Sequence, residues 1–508
     1  MEKMKQTKLL SVLLALLLVF ALSAGTFAAE ITIDGGATNS EYAAYKLLNA
    51  TNSANDHTKF AYTLNDKYTS ILQKVTGKTT QKEIVAYIQN LNASEIRAFA
   101  DDVYKEIKEA SPSITSDYTT STDKFENVDQ GYYLIVETKL GTTADTYSLV
   151  MLDTAGLDNV TVNTKENAPT VDKQVEEKND STGVNSWGES ADYDIGDKIN
   201  FKITGKVSSK YADYKSYYYS FADTMSNGLT YNKDAKVFVV SGENKINVTE
   251  QFKKEETDSF FTIDANLKEL TGVTINADTT IVVEYTATLN ENAVSGSAGN
   301  KNEVILKYEN DPYHEGDGDP STSDAPETPG ETPKDINIVF TYDLTVNKVD
   351  ASNKPLEGAG FTLFKFSVAE NEYVAIGNEI TGVTTFYFKG LDAGQYKLVE
   401  TTVPAGYNKA DDIEFIIKAT YDTSKDPVEL AGLQVTKTDS TVISTGSDAS
   451  FNADMQTGKV ATKVVNTTGP QLPSTGGMGT TLFYVLGSVL LLGAVVLLVV
   501  RRRMRTEK

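Results

Sequence analysis

Three polar residues stand where an alternating strand pattern calls for apolar ones. In Leu344-Thr345-Val346-Asn347-Lys348, a period of two carries Lys348 onto the face of Leu344 and Val346. The same alternation turns Glu400 inward with Tyr396 and Leu398, and Asn466 inward with Val460, Thr462 and Val464. An amine, a carboxyl and a carboxamide aimed into one core are costly unless they meet. Burial favours the neutral amine and the protonated acid. The neutral amine is then a nucleophile, and the acid can donate to the amide oxygen and shuttle protons. The chemistry on offer is attack of Lys348 on the Asn466 side chain with loss of ammonia, which leaves an amide crosslink.

A second set follows the same logic. Lys173 shares a face with Val171 and Val175, Asp223 with Tyr219 and Phe221, and Asn302 with Val304, Leu306 and Tyr308. Asn300 has the same parity as Asn302, so the residues alone leave two candidate asparagines. Lys165 reads the opposite way. Val160 and Val162 turn inward, while Lys165 shares the polar face with Thr161 and Asn163 and points to solvent.

The elements that must position these groups are short strands. Runs at 198–204, 217–221, 235–240, 279–289 and 303–308, separated by turn residues, predict a β-sandwich from about 169 to 310. The stretch 311–335 is rich in Pro, Asp, Glu, Gly, Ser and Thr and reads as a linker or long loop. The strand pattern resumes over 336–468. The first region, about 30–164, opens with a strand at 31–33. Apolar spacings of three and four then predict helices over 41–48, 67–75, 81–91 and 94–109, with Asn92 and Ser94 as N-caps. Strands return at 131–137 and 146–152. Glu137 follows Tyr133 and Ile135 inward, but no lysine lies on the opening strand, so no internal crosslink is expected there. The fold class is mainly β, with tandem immunoglobulin-like sandwiches, the first domain carrying a helical insertion, and a C-terminal transmembrane helix.

The two ends and the composition set the compartment. Lys3, Lys5 and Lys8 precede an apolar stretch over 9–22 and small residues up to Ala28 and Ala29, the pattern of a signal peptide removed after one of those alanines. Near the other end, an uncharged apolar run over 482–500 makes a helix of roughly 28 Å, enough to cross a bilayer core. Arg501, Arg502, Arg503 and Arg505 mark its cytoplasmic side, so the preceding chain lies outside. The chain has no cysteine, so an exported protein of this sequence has no disulfide to stiffen it. Its net charge of −23 argues against a nucleic-acid partner. Only two histidines exist, His57 and His314, and neither sits in a Ser or Cys constellation. Asp311, Asp317 and Asp319 alternate with Gly316 and Gly318, and this acidic loop reads as solvated rather than as a calcium site. No metal and no cofactor is called for. The expected domains are 1–29, 30–165, 166–335, 336–470 and 471–508.

These residues resemble known families. Leu472-Pro473-Ser474-Thr475-Gly476, followed by the apolar helix and basic tail, resembles the sorting signal read by sortases of Gram-positive bacteria. The resemblance implies a cut between Thr475 and Gly476, a thioester on Thr475, and resolution by an amine. Lys348-Val349-Asp350, Pro355-Leu356-Glu357-Gly358-Ala359, the run from Tyr396 through Glu400 to Pro404, Gly406 and Tyr407, and Val465-Asn466-Thr467 resemble the B-type domain of collagen-adhesin-like (Cna) proteins. There the first-strand Lys and last-strand Asn are joined and the Glu is catalytic. Stretches 223–231 and 299–308 resemble the fimbrial isopeptide-forming domain, which implies a Lys173–Asn302 bond with Asp223 as the acid. The segment 160–169 resembles the pilin motif, usually Val-Tyr-Pro-Lys, although Asn163-Thr164 replaces its Tyr-Pro.

Together the resemblance is to the major subunit of sortase-assembled pili. It implies Lys165 as the amine that takes Thr475 of another copy. The implied partners are sortase, further copies, peptidoglycan, and possible host surface ligands and minor pilins. The implied place is the cell surface, wall-anchored after a transient membrane hold. Such a chain crosslinks itself once, without turnover, and is no enzyme. A wall-anchored host-binding adhesin would share the sorting signal and B-type domain but would not need Lys165. A glycosidase with Asp223 and Glu400 as paired carboxylates conflicts with their expected location in different domains.

Overall fold

The computed structural model describes residues 28–34, 39–53, 56–141, 146–163, 168–312, 314–315, 324–444, 450–469 and 478–504. The segment whose spacing predicts a helix over 41–48 is instead a strand, Glu41–Ser53. It runs inside a sheet ordered Asp56–Leu64, Glu41–Ser53, Gly131–Lys139, Leu149–Asp153. One face carries Ala43, Tyr45 and Leu47, packed with Leu72, Ile84 and Val103 of the helices. The other carries Tyr42 and Ala44, packed with Ile31, Ile33 and Phe125 of a second sheet. A strand covered on both sides has no polar face, so its continuous apolar run satisfies a helical spacing as readily as a strand's.

That second sheet holds Ala28–Asp34 between Lys124–Asp129 and Asn159–Asn163. Helices Thr69–Thr76, Gln81–Gln89 and Ala93–Glu109 lie where the periodicity predicts them. Thr80 and Glu83 close a capping box at the second. At the third, Asn92 Oδ1 accepts from Glu95 N at 3.1 Å, and Asn92 N donates to Glu95 Oε2 at 2.8 Å.

The middle domain is a sandwich. One sheet runs Asn185–Gly188, Thr170–Lys178, Lys198–Lys206, Thr280–Leu289, Lys236–Ser241, Asn244–Asn247. The other runs Ser190–Asp192, Asp335–Phe340, Asn300–Tyr308, Tyr218–Met225, Phe260–Asn266, Lys253–Glu256. Ile203, Phe221, Val283 and Leu306 fill the space between them. Asp335–Phe340, whose pattern reads from the sequence as the start of the next domain, is hydrogen-bonded into this sheet beside Asn300–Tyr308. Thr341 alone separates it from Tyr342–Asp350, the first strand of the C-terminal sandwich.

The C-terminal sandwich packs a sheet ordered Thr385–Leu391, Tyr342–Asp350, Lys459–Asn466, Phe451–Asp454 on a five-stranded one. The latter contains Gly360–Ser367, Gln395–Thr402 and Ile413–Asp422. First and last strands are parallel neighbours, with Lys348 opposite Val464 and Asp350 opposite Asn466. A separate helix, Met478–Met504, contains the apolar span Phe483–Arg502, no part of which is buried against the domains.

Candidate functional site

Each sandwich buries one lysine, one carboxyl and one asparagine together. In the middle domain Lys173, Asp223 and Asn302 are all fully buried. Lys173 comes from Thr170–Lys178 in one sheet, whereas Asp223 and Asn302 come from Tyr218–Met225 and Asn300–Tyr308 in the other. Lys173 Nζ donates to Asp223 Oδ2 and, at 2.8 Å, to Asn302 Oδ1. Tyr285 closes the cluster from the lysine's sheet. Its hydroxyl donates to Asp223 Oδ2 at 3.0 Å and accepts from Asn302 Nδ2 at 2.9 Å. Asp223 Oδ1 has no partner.

The electrostatics follow from burial. Loss of water pushes the Lys173 amine below its ordinary value, and the Asp223 carboxylate only partly opposes this. Burial likewise raises Asp223, against the pull of Lys173 and the Tyr285 hydroxyl. Tyr285 is pushed up by burial and then by Asp223, so it stays a proton donor. Both shifts favour the neutral amine and the protonated acid.

Asn300 belongs elsewhere. It is buried, but its Nδ2 donates to the carbonyls of Val294 and Val339, each at 3.1 Å, and its Oδ1 accepts from Val294 N at 2.9 Å. It pins a loop to the sheet, and Lys173 meets Asn302 instead. Tyr285 is a member of the cluster that alternation hides, because Ile281, Val283, Tyr285, Ala287 and Leu289 form one buried apolar face. The available signal is chemical: a buried tyrosine hydroxyl needs a partner.

In the C-terminal domain Lys348, Glu400 and Asn466 are buried to within 1 % exposure. Lys348 and Asn466 lie on adjacent strands of one sheet, and Glu400 reaches across from Gln395–Thr402 in the other. Lys348 Nζ lies 3.9 Å from Glu400 Oε1 and donates to the carbonyls of Val349 and Val464, each at 3.3 Å. Asn466 Nδ2 donates to Glu400 Oε1 at 2.8 Å and Oε2 at 3.1 Å, and Ala410 N anchors Oε2 at 2.7 Å. Asn466 Oδ1 has no partner. Burial lowers the Lys348 amine and Glu400 opposes that shift. The same three kinds of group meet here as in the middle domain, with the amide turned so that its nitrogen faces the acid.

In the first domain Glu137 is buried and accepts from Ser148 N and Oγ, each at 3.2 Å. Lys165, the Leu472–Gly476 motif, Asp317 and Asp319 lie outside the described residues.

Three family models match parts of the chain. Residues 195–312 match the Cna-B-like domain of Gram-positive pilin backbone subunit 2, 342–431 a prealbumin-like fold domain, and 464–506 the LPXTG cell wall anchor motif. The trypsin-resistant surface T6 protein of Streptococcus pyogenes serotype M6 is 26% identical over 367 residues, covering 61% of this chain and 65% of that protein. The match thus spans just under two thirds of that relative's length. The solved T6 backbone pilin of the same organism superposes with a TM-score of 0.54 at 18% identity, covering 89% of this chain and 100% of its own. The full-length major pilin SpaD of Corynebacterium diphtheriae gives 0.47 at 17% identity, covering 87% and 98%. The fold resembles that of the T6 backbone pilin, and the anchor motif with its apolar helix marks a wall-anchored surface protein.

Proposed function

We propose that this chain, which resembles Gram-positive backbone pilins in its domains and anchor, is the structural shaft subunit of a covalent surface pilus. Two kinds of amide bond build the shaft. Within a subunit, Lys173 Nζ adds to Cγ of Asn302, and Lys348 Nζ to Cγ of Asn466. In each case the Cγ–Nδ2 bond breaks and Nδ2 leaves as ammonia. Asp223 or Glu400 first protonates the amide oxygen, then carries a proton from the attacking nitrogen to the leaving one. Tyr285 holds Asp223 and Asn302 in register for this transfer. In the C-terminal domain the Asn466 amide turns to offer Oδ1 to Glu400.

Between subunits, sortase cuts after Thr475, and Lys165 of another copy takes the threonine carbonyl. This head-to-tail contact does not close on itself, so it grows a fibre. The final copy passes to peptidoglycan. Tension entering at Lys165 then crosses Lys173–Asn302 and Lys348–Asn466 and leaves at Thr475. The domain before Lys165 lies off that path and needs no staple.

The observation that carries this reading is the pair of buried lysine–carboxyl–asparagine sets, one per sandwich, in a chain without cysteine. Intact mass tests it. The recombinant mature chain should weigh about 34 Da below its sequence value, about 17 Da for each ammonia lost. A mass equal to the sequence value rejects both internal bonds. Lys165→Ala should abolish the high-mass ladder of fibres on a denaturing gel. A ladder that persists assigns the joining amine to another lysine.

A further inference from the structure

The junction between the middle and C-terminal sandwiches buries a third lysine in a setting unlike the other two. Lys365 Nζ contacts Asp194 Oδ2 at 2.7 Å, Asp392 Oδ2 at 2.9 Å and Asp180 Oδ2 at 3.0 Å. Those carboxylates outweigh its desolvation and hold its pKa above the ordinary value. It stays an ammonium and is no nucleophile. Its charge serves Asp180, Asp194 and one oxygen of Asp392.

Beyond Asp392 the charge balance fails. Asp392, 1 % exposed, has no donor for Oδ1 other than the Asp192 carboxyl it meets. Ligand-capable oxygens of Asp392, Glu177 and Asp192 lie within 4.8 Å of one another. Asp192 is also buried, while Glu177 is half-buried. Neighbouring donors fix these groups. Ala393 N donates to Asp192 Oδ1 at 3.1 Å, the Tyr421 hydroxyl donates to Asp192 Oδ2, and Asp192 N donates to Glu177 Oε2 at 2.8 Å. Among the described residues, Lys365 is the cation that contacts this group, through Asp392.

We propose that Glu177, Asp192 and Asp392 form a calcium site that ties the middle sandwich to the C-terminal one. Three oxygens this far apart can share one ion at the roughly 2.3–2.6 Å of a calcium–oxygen bond. A buried, irregular carboxylate set suits calcium better than magnesium, which demands near-octahedral geometry and keeps its waters. Glu177 and Asp192 belong to the middle domain and Asp392 to the next, so the ion bridges a junction whose covalent connection is the single residue Thr341. Burial raises all three carboxyls.

Calorimetric titration of the EDTA-stripped full chain with calcium chloride alone, above pH 7, tests this. One site is expected, with a dissociation constant on the order of 10⁻⁴ to 10⁻³ M, the range of extracellular calcium modules. Calcium should also raise the unfolding temperature. Asp392→Asn keeps the shape and an oxygen for Lys365, and Glu177→Gln changes a half-buried partner. Either should weaken calcium binding at least tenfold, while the deficit of about 34 Da against the variant's own sequence mass persists and shows the sandwiches formed. Asp317→Asn with Asp319→Asn, in the acidic loop, should leave the titration unchanged. Binding that survives Asp392→Asn and Glu177→Gln overturns the site. So does a well-folded parent chain that takes up no calcium, which would mean that the three carboxyls share protons alone.

Discussion

The middle and C-terminal sandwiches assemble the same three groups by different routes. In the middle domain Lys173 and Asn302 come from opposite sheets, and the acid comes from the asparagine's sheet. In the C-terminal domain Lys348 and Asn466 sit on parallel neighbours in one sheet, and the acid crosses from the other. A bond in the first place clamps sheet to sheet. A bond in the second locks the last strand to the first, which already share a hydrogen-bond ladder. The proposed chemistry therefore demands only a dry pocket shared by an amine, an acid and an amide, and different strand pairings can supply it.

The largest effect comes from removing one acid at a time. Asp223→Ala and Glu400→Ala should each restore about 17 Da of mass. Each staple closes a loop of over ~100 residues, so by the chain-entropy argument each loss should cost about 4–5 kcal/mol of stability. The consequences should differ by domain. Without the Glu400-dependent bond the last strand can peel, and trypsin should cut at Lys459 or Lys463, which Asp223→Ala leaves protected. Equal cleavage in both variants would erase the distinction between clamping sheets and locking strands.

Next in size is Tyr285→Phe. It removes one donor to Asp223 and one acceptor from Asn302, and has no counterpart among the described residues of the C-terminal domain. A hydrogen bond worth about 1.4 kcal/mol in the transition state makes a tenfold difference, so the middle bond should form about tenfold more slowly. Mass followed as newly synthesised, uncrosslinked chain first folds should then fall in two separated steps, the C-terminal one unchanged. Asn300→Ala should leave both crosslinks intact and cost about 1–3 kcal/mol through the carbonyls it abandons. A mass gain in that variant would reassign the middle bond.

The smallest effect is a pH dependence at the junction. Glu177 is held up to about 7 in the fold, chiefly by burial, against 4.5 when unfolded. The folded state therefore binds the extra proton between those values. The stability from this group is fully present below about pH 4.5 and is lost as pH rises through about 7. Thermal unfolding of the EDTA-treated chain across that window should show the decline, and Glu177→Gln should make it shallower, leaving the share of Glu189 and Glu309, which burial also holds up to about 7.

Strand alternation alone decided that Lys173, Lys348, Asp223, Glu400, Asn302 and Asn466 face inward, because the period of two is a local property of the backbone. The anchor helix was equally legible, since length and the absence of charge suffice. Alternation reports a face and not the partner across it. That Lys173 meets Asn302 and not Asn300, which share parity, depends on sheet packing between residues 129 apart. The strand Glu41–Ser53 escaped notice because both of its faces are covered, which only neighbours distant in sequence reveal. Tyr285 was masked by its apolar strand companions. The carboxylates around Lys365 come from segments up to 185 residues away, each an ordinary polar residue until two domains close on them. Tertiary structure alone made those charges neighbours, because burial and Coulomb repulsion act through space and not along the chain.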